Sequence, residues 1–389
     1  MISVCMIVKN EENQIKKCLD SVVHFADEIL IVDNGCTDRT LEFAKSYECR
    51  ILDGRNYLID DARNLYLNNA REPWIFVIDA DEICGDVNST KLKTMLEEAD
   101  SEIWAFSVQV YEYIGLGKWA EVSMIRIFRN NGKIHYNNSA IHSTLIPSII
   151  SQGKKISESN VYLHHMDILL KNRTRNKRVI YRELLKNTLS NSEFQKEDPS
   201  SYELYSIFLA MEYVSIENYK KAEELLIPIK DNGIYYKKFA LIGYYRLKLL
   251  QNKMTEQDCE LLYSNIGDGL FGEDLDIVDI LINFYVINNE YQKAIDLIIM
   301  KSEYMNLRAS DYINYSFLLK SIDFEKGKDL LLSAIKCNPF LCNKEIYKDG
   351  EKPNIFEQQS NILTSIDSVY ALLTYYGLSH LIRKDTYET

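Results

Sequence analysis

The stretch WIFVIDADE, residues 74–82, is a run of five apolar residues that ends abruptly in Asp79, Asp81 and Glu82. A short, continuous apolar run reads as a strand buried on both faces, the kind found in parallel sheets covered by helices. In such open α/β sheets, ligands sit outside the carboxyl ends of the strands, where these acids fall. Two carboxylates at i and i+2 cannot both be buried uncompensated, because each ionised group costs several kcal/mol. A divalent cation resolves the conflict, and oxygen-rich sites suit Mg²⁺ or Mn²⁺. A diphosphate leaving group needs such a cation, so the stretch predicts both a fold class and a chemistry.

Upstream, the pattern repeats. Ile2 to Val8 is another nearly continuous apolar run, and Lys9-Asn10-Glu11-Glu12 follows at its carboxyl end. Ile15, Cys18, Leu19, Val22 and Val23 then recur at helical spacing. Residues 28–33 (EILIVD) predict a second buried strand ending in Asp33, with Thr37 and Asp38 as helix N-caps before Leu41, Ala44 and Tyr47. A short strand at Arg50 to Leu52 and a helix from Leu58 to Asn69 follow, the latter carrying Arg63 within DDARN (60–64). Strand–helix alternation of this kind gives a parallel sheet with helices on both faces.

Downstream, the rhythm changes. Trp104, Phe106, Val108 and Val110 alternate with Ala105, Ser107 and Gln109, which predicts a strand with one polar face. Residues 124–129 (MIRIFR) read as a short strand, and an irregular stretch then runs to about residue 165. Four of the six histidines fall in 135–165, so this part is expected to build a site rather than repeat the winding.

From about residue 198 the chain reads as helices. YVSIENYKKAEELL (213–226), YVINNEYQKAIDLI (285–298) and LKSIDFEKGKDLLL (319–332) resemble one another. Their aromatic residues Tyr219, Tyr291 and Phe324 are 72 and 33 positions apart, which predicts a degenerate copy between, near Tyr244 to Tyr263. A period near 34, with an aromatic three residues before a small residue (Ala222, Ala294, Gly327), matches the tetratricopeptide template. Asn338-Pro339 is expected to end the last repeat helix. The remainder, 340–389, is expected to form a helical cap or an oligomer contact, with homodimerisation through these helices, and Ile366, Val369, Leu372 and Leu373 form its apolar stripe. The domain limits read from these shifts are 1–195, 196–339 and 340–389.

Bulk properties narrow the function. A chain of 389 residues suits two domains, and 46% apolar with 26% charged residues is ordinary globular composition. A formal net charge of -12 argues against nucleic acid or an anionic membrane surface as the main partner. No apolar run is long enough to cross a bilayer, and the N-terminus has no signal-peptide pattern, so a cytoplasmic location is expected. The eight cysteines form no CxxC pair, which predicts reduced thiols and neither a disulfide framework nor a zinc site.

Taken together, MIVKNEE (6–12), IVDNGCTDRT (31–40), ARN (62–64), FVIDADE (76–82), RIFRNNGKIHYNNSAIH (126–142), LHH (163–165) and KNRTRN (171–176) resemble the family 2 glycosyltransferases of the GT-A fold. The fold class implied is an α/β GT-A nucleotide-diphospho-sugar transferase domain followed by an all-α tetratricopeptide-like repeat domain. By that resemblance Val8, Asn10, Glu11, Asp33, Arg63 and Ala80 would line the site for a UDP-sugar, and Asp79 and Asp81 would hold Mn²⁺ or Mg²⁺ on its diphosphate. His164 is the expected further metal ligand, with His142 as competitor; relatives read Gly-Tyr where this chain has Met166-Asp167. In the basic run 171–178, Lys171 and Arg175 share a helix face and would neutralise the departing diphosphate.

Relatives usually read Val-His-Glu where this chain has Ile141-His142-Ser143, and that Glu is the natural general base. A serine cannot replace it unaided. Either His142 or Glu102 serves as base, with Asp81 also counted among the catalytic residues, or the acceptor ionises easily, as a cysteine thiol does. A GT-A domain joined to tetratricopeptide-like helices is similar to the sublancin-type peptide S-glycosyltransferases, which implies an inverting transfer of a hexose, by default glucose, to a peptide. Two alternatives stand beside it: a transferase building a cell-surface saccharide, and a non-catalytic repeat scaffold with a degenerate transferase domain.

Overall fold

The computed structural model describes residues 1–85, 87–115, 117–136, 145–166, 171–191, 193–267, 273–348 and 369–383. Along residues 171–177 it describes the backbone alone. The chain forms two compact units, residues 1–112 with 121–166, and residues 113–120 with 167–389.

The first unit is built on a mixed sheet of eight strands in the order β3-β2-β1-β4-β7-β6-β8-β5. Its first half is the predicted one: β1 (Ile2–Val8), α1 (Ile15–Val22), β2 (Glu28–Asp33), α2 (Thr40–Ser46), β3 (Arg50–Asp53), α3 (Ile59–Asn69) and β4 (Trp74–Val77). Strands β1, β2, β3 and β4 are mutually parallel, so their carboxyl ends share one edge. Ile2, Val4, Met6 and Val8 pack with α1 on one face of the sheet, and Cys5 packs with Ala62 and Tyr66 of α3 on the other. That two-sided burial is why β1 reads as a continuous apolar run.

The second half is more regular than its sequence suggests. It comprises β5 (Glu82–Cys84), α4 (Ser89–Glu97), β6 (Ile103–Gly115), β7 (Lys118–Arg129), α5 (Ile146–Ile150) and β8 (Lys155–His165). On β6 the predicted alternation holds from Phe106 onward: Phe106, Val108 and Val110 are buried and Ser107 and Gln109 half-buried, but Ala105, expected on the polar face, is fully buried beside a register shift at the start of the strand. The stretch ending at 165, read as irregular, contains the eleven-residue β8. It pairs parallel with β6 and antiparallel with β5.

The second unit is helical: α6 (Lys171–Leu189), α7 (Phe194–Glu197), then hairpins α8 (Pro199–Ser215)/α9 (Tyr219–Asn232), α10 (Lys237–Leu250)/α11 (Glu256–Tyr263), α12 (Glu273–Ile287)/α13 (Tyr291–Tyr304) and α14 (Ala309–Leu319)/α15 (Phe324–Cys337). Tyr219, Tyr291 and Phe324 each open the second helix of a hairpin, and Ala222, Ala294 and Gly327 are buried where helices approach closely. Tyr244 to Tyr263, where a degenerate copy is expected, spans α10 and α11, the latter starting from a Thr255–Asp258 capping box. The last repeat helix ends at Cys337, and Asn338 caps the following 3₁₀ turn by accepting from the Phe340 N–H at 3.1 Å. In α16 (Val369–Tyr375), Val369, Leu372 and Leu373 are buried within the chain itself. Ile366 lies outside the described residues. All eight cysteines are free thiols. Among the described residues, no helix is long and apolar enough to cross a membrane.

Candidate active site

Each parallel strand delivers polar groups to the shared edge, and short-range hydrogen bonds fix them there. Beyond β1, Asn10 adopts a left-handed conformation (φ 60) that asparagine tolerates better than most residues. Its side-chain oxygen accepts from the Thr37 N–H at 2.8 Å. The buried Glu11 donates its N–H to Thr40 Oγ at 2.7 Å. Beyond β2, Asp33 accepts from the Gly35 and Cys36 N–H groups at 3.0 and 2.7 Å. The Val8 carbonyl accepts from the Asn34 N–H at 2.9 Å, tying the two strand ends together. Of the two caps expected for α2, Asp38 accepts from the Thr40 N–H, while Thr37 is engaged with Asn10. The helix begins at Thr40, two residues later than Thr37 would have placed it.

Helix α3 presents Arg63, which pairs with the buried Asp60 at 3.2 Å and lies over the Tyr136 ring. The next residue, Asn64, exchanges two hydrogen bonds with the Tyr136 backbone, at 3.0 and 2.9 Å. The ARN triplet therefore combines a buried alanine against the sheet, a cation at the edge, and an anchor for the segment entering residue 136.

The turn after β4 is the centre of the site. Ala80 is buried; Asp79 is half-exposed, and Asp81 is only 13% exposed. Glu82 is buried, accepts from the Asp79 N–H at 2.8 Å and returns its own N–H to the Asp79 carbonyl. Arg126, on β7, donates to Glu82 at 2.6 Å and to Asp79 at 3.2 Å. Burial works against the Arg126 charge, but Glu82 and Asp79 outweigh it and keep the guanidinium protonated. Burial pushes the Glu82 carboxyl up to about 7, against the pull of Arg126.

The two histidines at the end of β8 divide between opposite faces of the sheet. Pairing aligns Glu82, His165 and Glu112 in one row across β5, β8 and β6, and Ile83, His164 and Tyr111 in the next. His165 Nε2 lies 3.6 Å from Asp81 Oδ2, and its Nδ1 lies 4.0 Å from Glu112. Burial disfavours its charged form, but Asp81, Glu112 and Glu82 overcome that and raise it to about 10. His164 is instead buried against Tyr111, with ring centroids 5.5 Å apart, and burial lowers it to about 3. The histidine beside the acidic pair is thus His165, not the His164 that the register of the resemblance singled out. Alternation along a strand separates adjacent residues, and the sequence carries no mark of which one faces the acids.

Glu102 lies just before the start of β6, about ten residues or roughly 30 Å along the strand from Glu112, and pairs with Lys154 at 2.6 Å. It is not grouped with the acids of the site. His142 and Ser143 lie outside the described residues, and Lys171 and Arg175 fall on the first turns of α6, where side chains are not described. Glu112, Arg126 and His165 are the residues that sequence reasoning did not single out. Glu112 and Arg126 carried a signal, as charges flanked by apolar or aromatic strand residues.

Four carboxylates (Asp79, Asp81, Glu82 and Glu112) thus gather around one guanidinium and one imidazole. Among the described residues, no three His, Cys, Asp or Glu side chains converge to cage a metal by themselves. The donor chemistry nevertheless fits an Mg²⁺- or Mn²⁺-type ion, which is commonly held by one or two carboxylates together with substrate phosphates. The half-exposed Asp79 beside the mostly buried Asp81 suits such a shared ion.

Residues 3–147 match the family described as glycosyl transferase family 2. The chain carries a family 2 glycosyltransferase domain. A tetratricopeptide-repeat-containing protein of Synechococcus elongatus is 33% identical over 138 residues, covering 35% of this chain and 33% of that protein. The SPbeta prophage-derived glycosyltransferase SunS of Bacillus subtilis is 29% identical over 178 residues, covering 41% of each chain. These matches span less than half the length of either relative. Among solved structures, Staphylococcus aureus TarS aligns at 12% identity with a TM-score of 0.33, over 67% of this chain and 50% of that one.

Proposed function

We propose that the glycosyltransferase domain transfers a hexose from a UDP-sugar, by default UDP-glucose, to a peptide acceptor, with inversion at the anomeric carbon. The observation that carries this reading is the convergence of Asn10, Asp33 and the Asp79–Asp81 pair at the carboxyl ends of three parallel strands. Asn10, Glu11, Asp33 and Arg63 would receive the nucleotide. Asp79 and Asp81 would hold Mn²⁺ or Mg²⁺, with His165 taking the ligand role expected of His164. The bound cation would supply Lewis-acid stabilisation of the diphosphate leaving group.

In the reaction the acceptor sulfur or oxygen forms a bond to the anomeric carbon as the carbon–oxygen bond to UDP breaks. The electron pair leaves on the β-phosphate oxygen, where Lys171 and Arg175 are proposed to add positive charge. The acceptor proton passes to a base, for which His142 is the proposed group; a cysteine thiol needs the least help. The peptide reading is supported by the repeat hairpins, since stacked helix pairs make extended binding surfaces, and by the resemblance to the sublancin-type transferases.

The test is mass spectrometry of cysteine- and serine-containing peptides incubated with the protein, Mn²⁺ and a panel of UDP-sugars. A hexose gain that alkylation of the thiol blocks is the expected result. Metal-dependent release of UDP without transfer to any peptide would refute the peptide acceptor while leaving the donor reading intact.

A further inference from the structure

We propose that Glu112 is a positioning residue for His165, orienting the imidazole so that Nε2 is presented to the Asp81 side of the site. The proposal rests on the reading of Asp79 and Asp81 as the cation-binding pair. No motif marks Glu112, which sits near the end of an otherwise ordinary strand. Its place is set by pairing alone: β8 lies between β6 and β5, and Glu112, His165 and Glu82 stand in register across the three strands.

The two ring nitrogens of His165 face different carboxylates, Nε2 toward Asp81 at 3.6 Å and Nδ1 toward Glu112 at 4.0 Å. An imidazole that ligates through one nitrogen must carry its proton on the other. A carboxylate on that side fixes the tautomer, holds the ring plane and raises the basicity of the ligating nitrogen. The contact of Nδ1 with Glu112 is at ion-pair distance, and a side-chain shift of about 1 Å closes it into a hydrogen bond. Glu112 is one-third exposed, so such a shift needs no repacking of a core. His164 stacks on Tyr111 on the other face.

The rival role for Glu112 is that of the acceptor's general base, which Ser143 cannot fill. The two roles separate experimentally. Mn²⁺ is titrated into the full-length protein with saturating UDP and read by electron paramagnetic resonance, for wild type, Glu112→Gln and Glu112→Asp, with thermal melts alongside. A positioning role predicts about 10-fold to 100-fold weaker Mn²⁺ binding for Glu112→Gln, a smaller loss for Glu112→Asp, unchanged melting, and UDP-sugar turnover restored by raising Mn²⁺. Mn²⁺ affinity unchanged in both variants, or lost turnover that excess Mn²⁺ does not restore, would overturn the proposal. Should Glu112→Gln not fold, Glu112→Asp alone carries the test. A wild-type protein that binds no Mn²⁺ with UDP would refute the underlying cation site itself.

Discussion

Both units bury charge, and they do it differently. In the helical unit Lys301 is fully buried between Asp279 and Asp311, at 2.8 and 2.6 Å, and Arg308 pairs with both aspartates. Arg246 pairs with Asp276 at 3.0 Å. Among the described residues these three cations pair with these three carboxylates, in a network enclosed by helices. Among the described residues of the glycosyltransferase domain, Asp79, Asp81, Glu82 and Glu112 lie around Arg126 and His165, with Asp79 half-exposed at the strand end. A charge network enclosed by helices ties them together; one whose carboxylate stands half-exposed at the open edge of a sheet can be reached by a ligand. The difference in exposure, not the number of charges, separates structure from site.

The sharpest way to break that comparison is to unbalance the enclosed network. Lys301→Met leaves Asp279 and Asp311 buried without their shared cation and should cost about 3–5 kcal/mol of stability, read by urea unfolding. Loss below about 1 kcal/mol would mean that the cluster is not compensated as described. At the site the expectation reverses: Asp81→Ala should lower metal-dependent UDP release by about 10²- to 10³-fold, as loss of one transition-state-stabilising group does, with little change in melting. If melting collapsed instead, Asp81 would belong to the structural class.

Proton linkage sharpens the same contrast. Burial alone would raise the Asp311 carboxyl, but Lys301 and Arg308 outweigh it and hold it below its ordinary value. A depressed carboxylate contributes stability that is complete above about 3.9, the unfolded value, and is lost as the pH falls through the lower folded value. Thermal melts from pH 5 down to pH 2 should show this acid loss, and Lys301→Met should flatten it. The smallest effect belongs to packing. A Cβ on Gly327 would run into the Tyr376 hydroxyl, which donates to the Ser316 carbonyl at 2.9 Å. Gly327→Ala should therefore cost about 1–3 kcal/mol by overpacking, measured by the same unfolding curves.

How much of this was legible in the sequence follows from how local each feature is. Strands β1, β2 and β4 are buried on both faces, so their apolar runs and terminal acids stand out without knowledge of their neighbours. The helical repeats were equally plain, since three of the hairpins restate an aromatic and a small residue at the start of their second helix. Strand β8 was not: KISESN opens it with polar residues, and only pairing with β6 and β5 makes a strand of it. For the same reason His165 and Glu112 stayed hidden. Which of two adjacent histidines faces the acids is a matter of register, and register is set by partners far away in sequence. The 4-residue spacing of Lys171 and Arg175 and the identity of the base at His142 remain proposals drawn from the sequence.

The most direct measurement of the central claim is a calorimetric titration of Mn²⁺ into the protein with and without saturating UDP, for wild type and for Asp79→Asn and Asp81→Asn. The Asp79–Asp81 pair at the strand end predicts one Mn²⁺ site that UDP tightens and that either substitution abolishes or severely weakens. Mn²⁺ binding that is absent with UDP, or that both variants retain at wild-type strength, would contradict it.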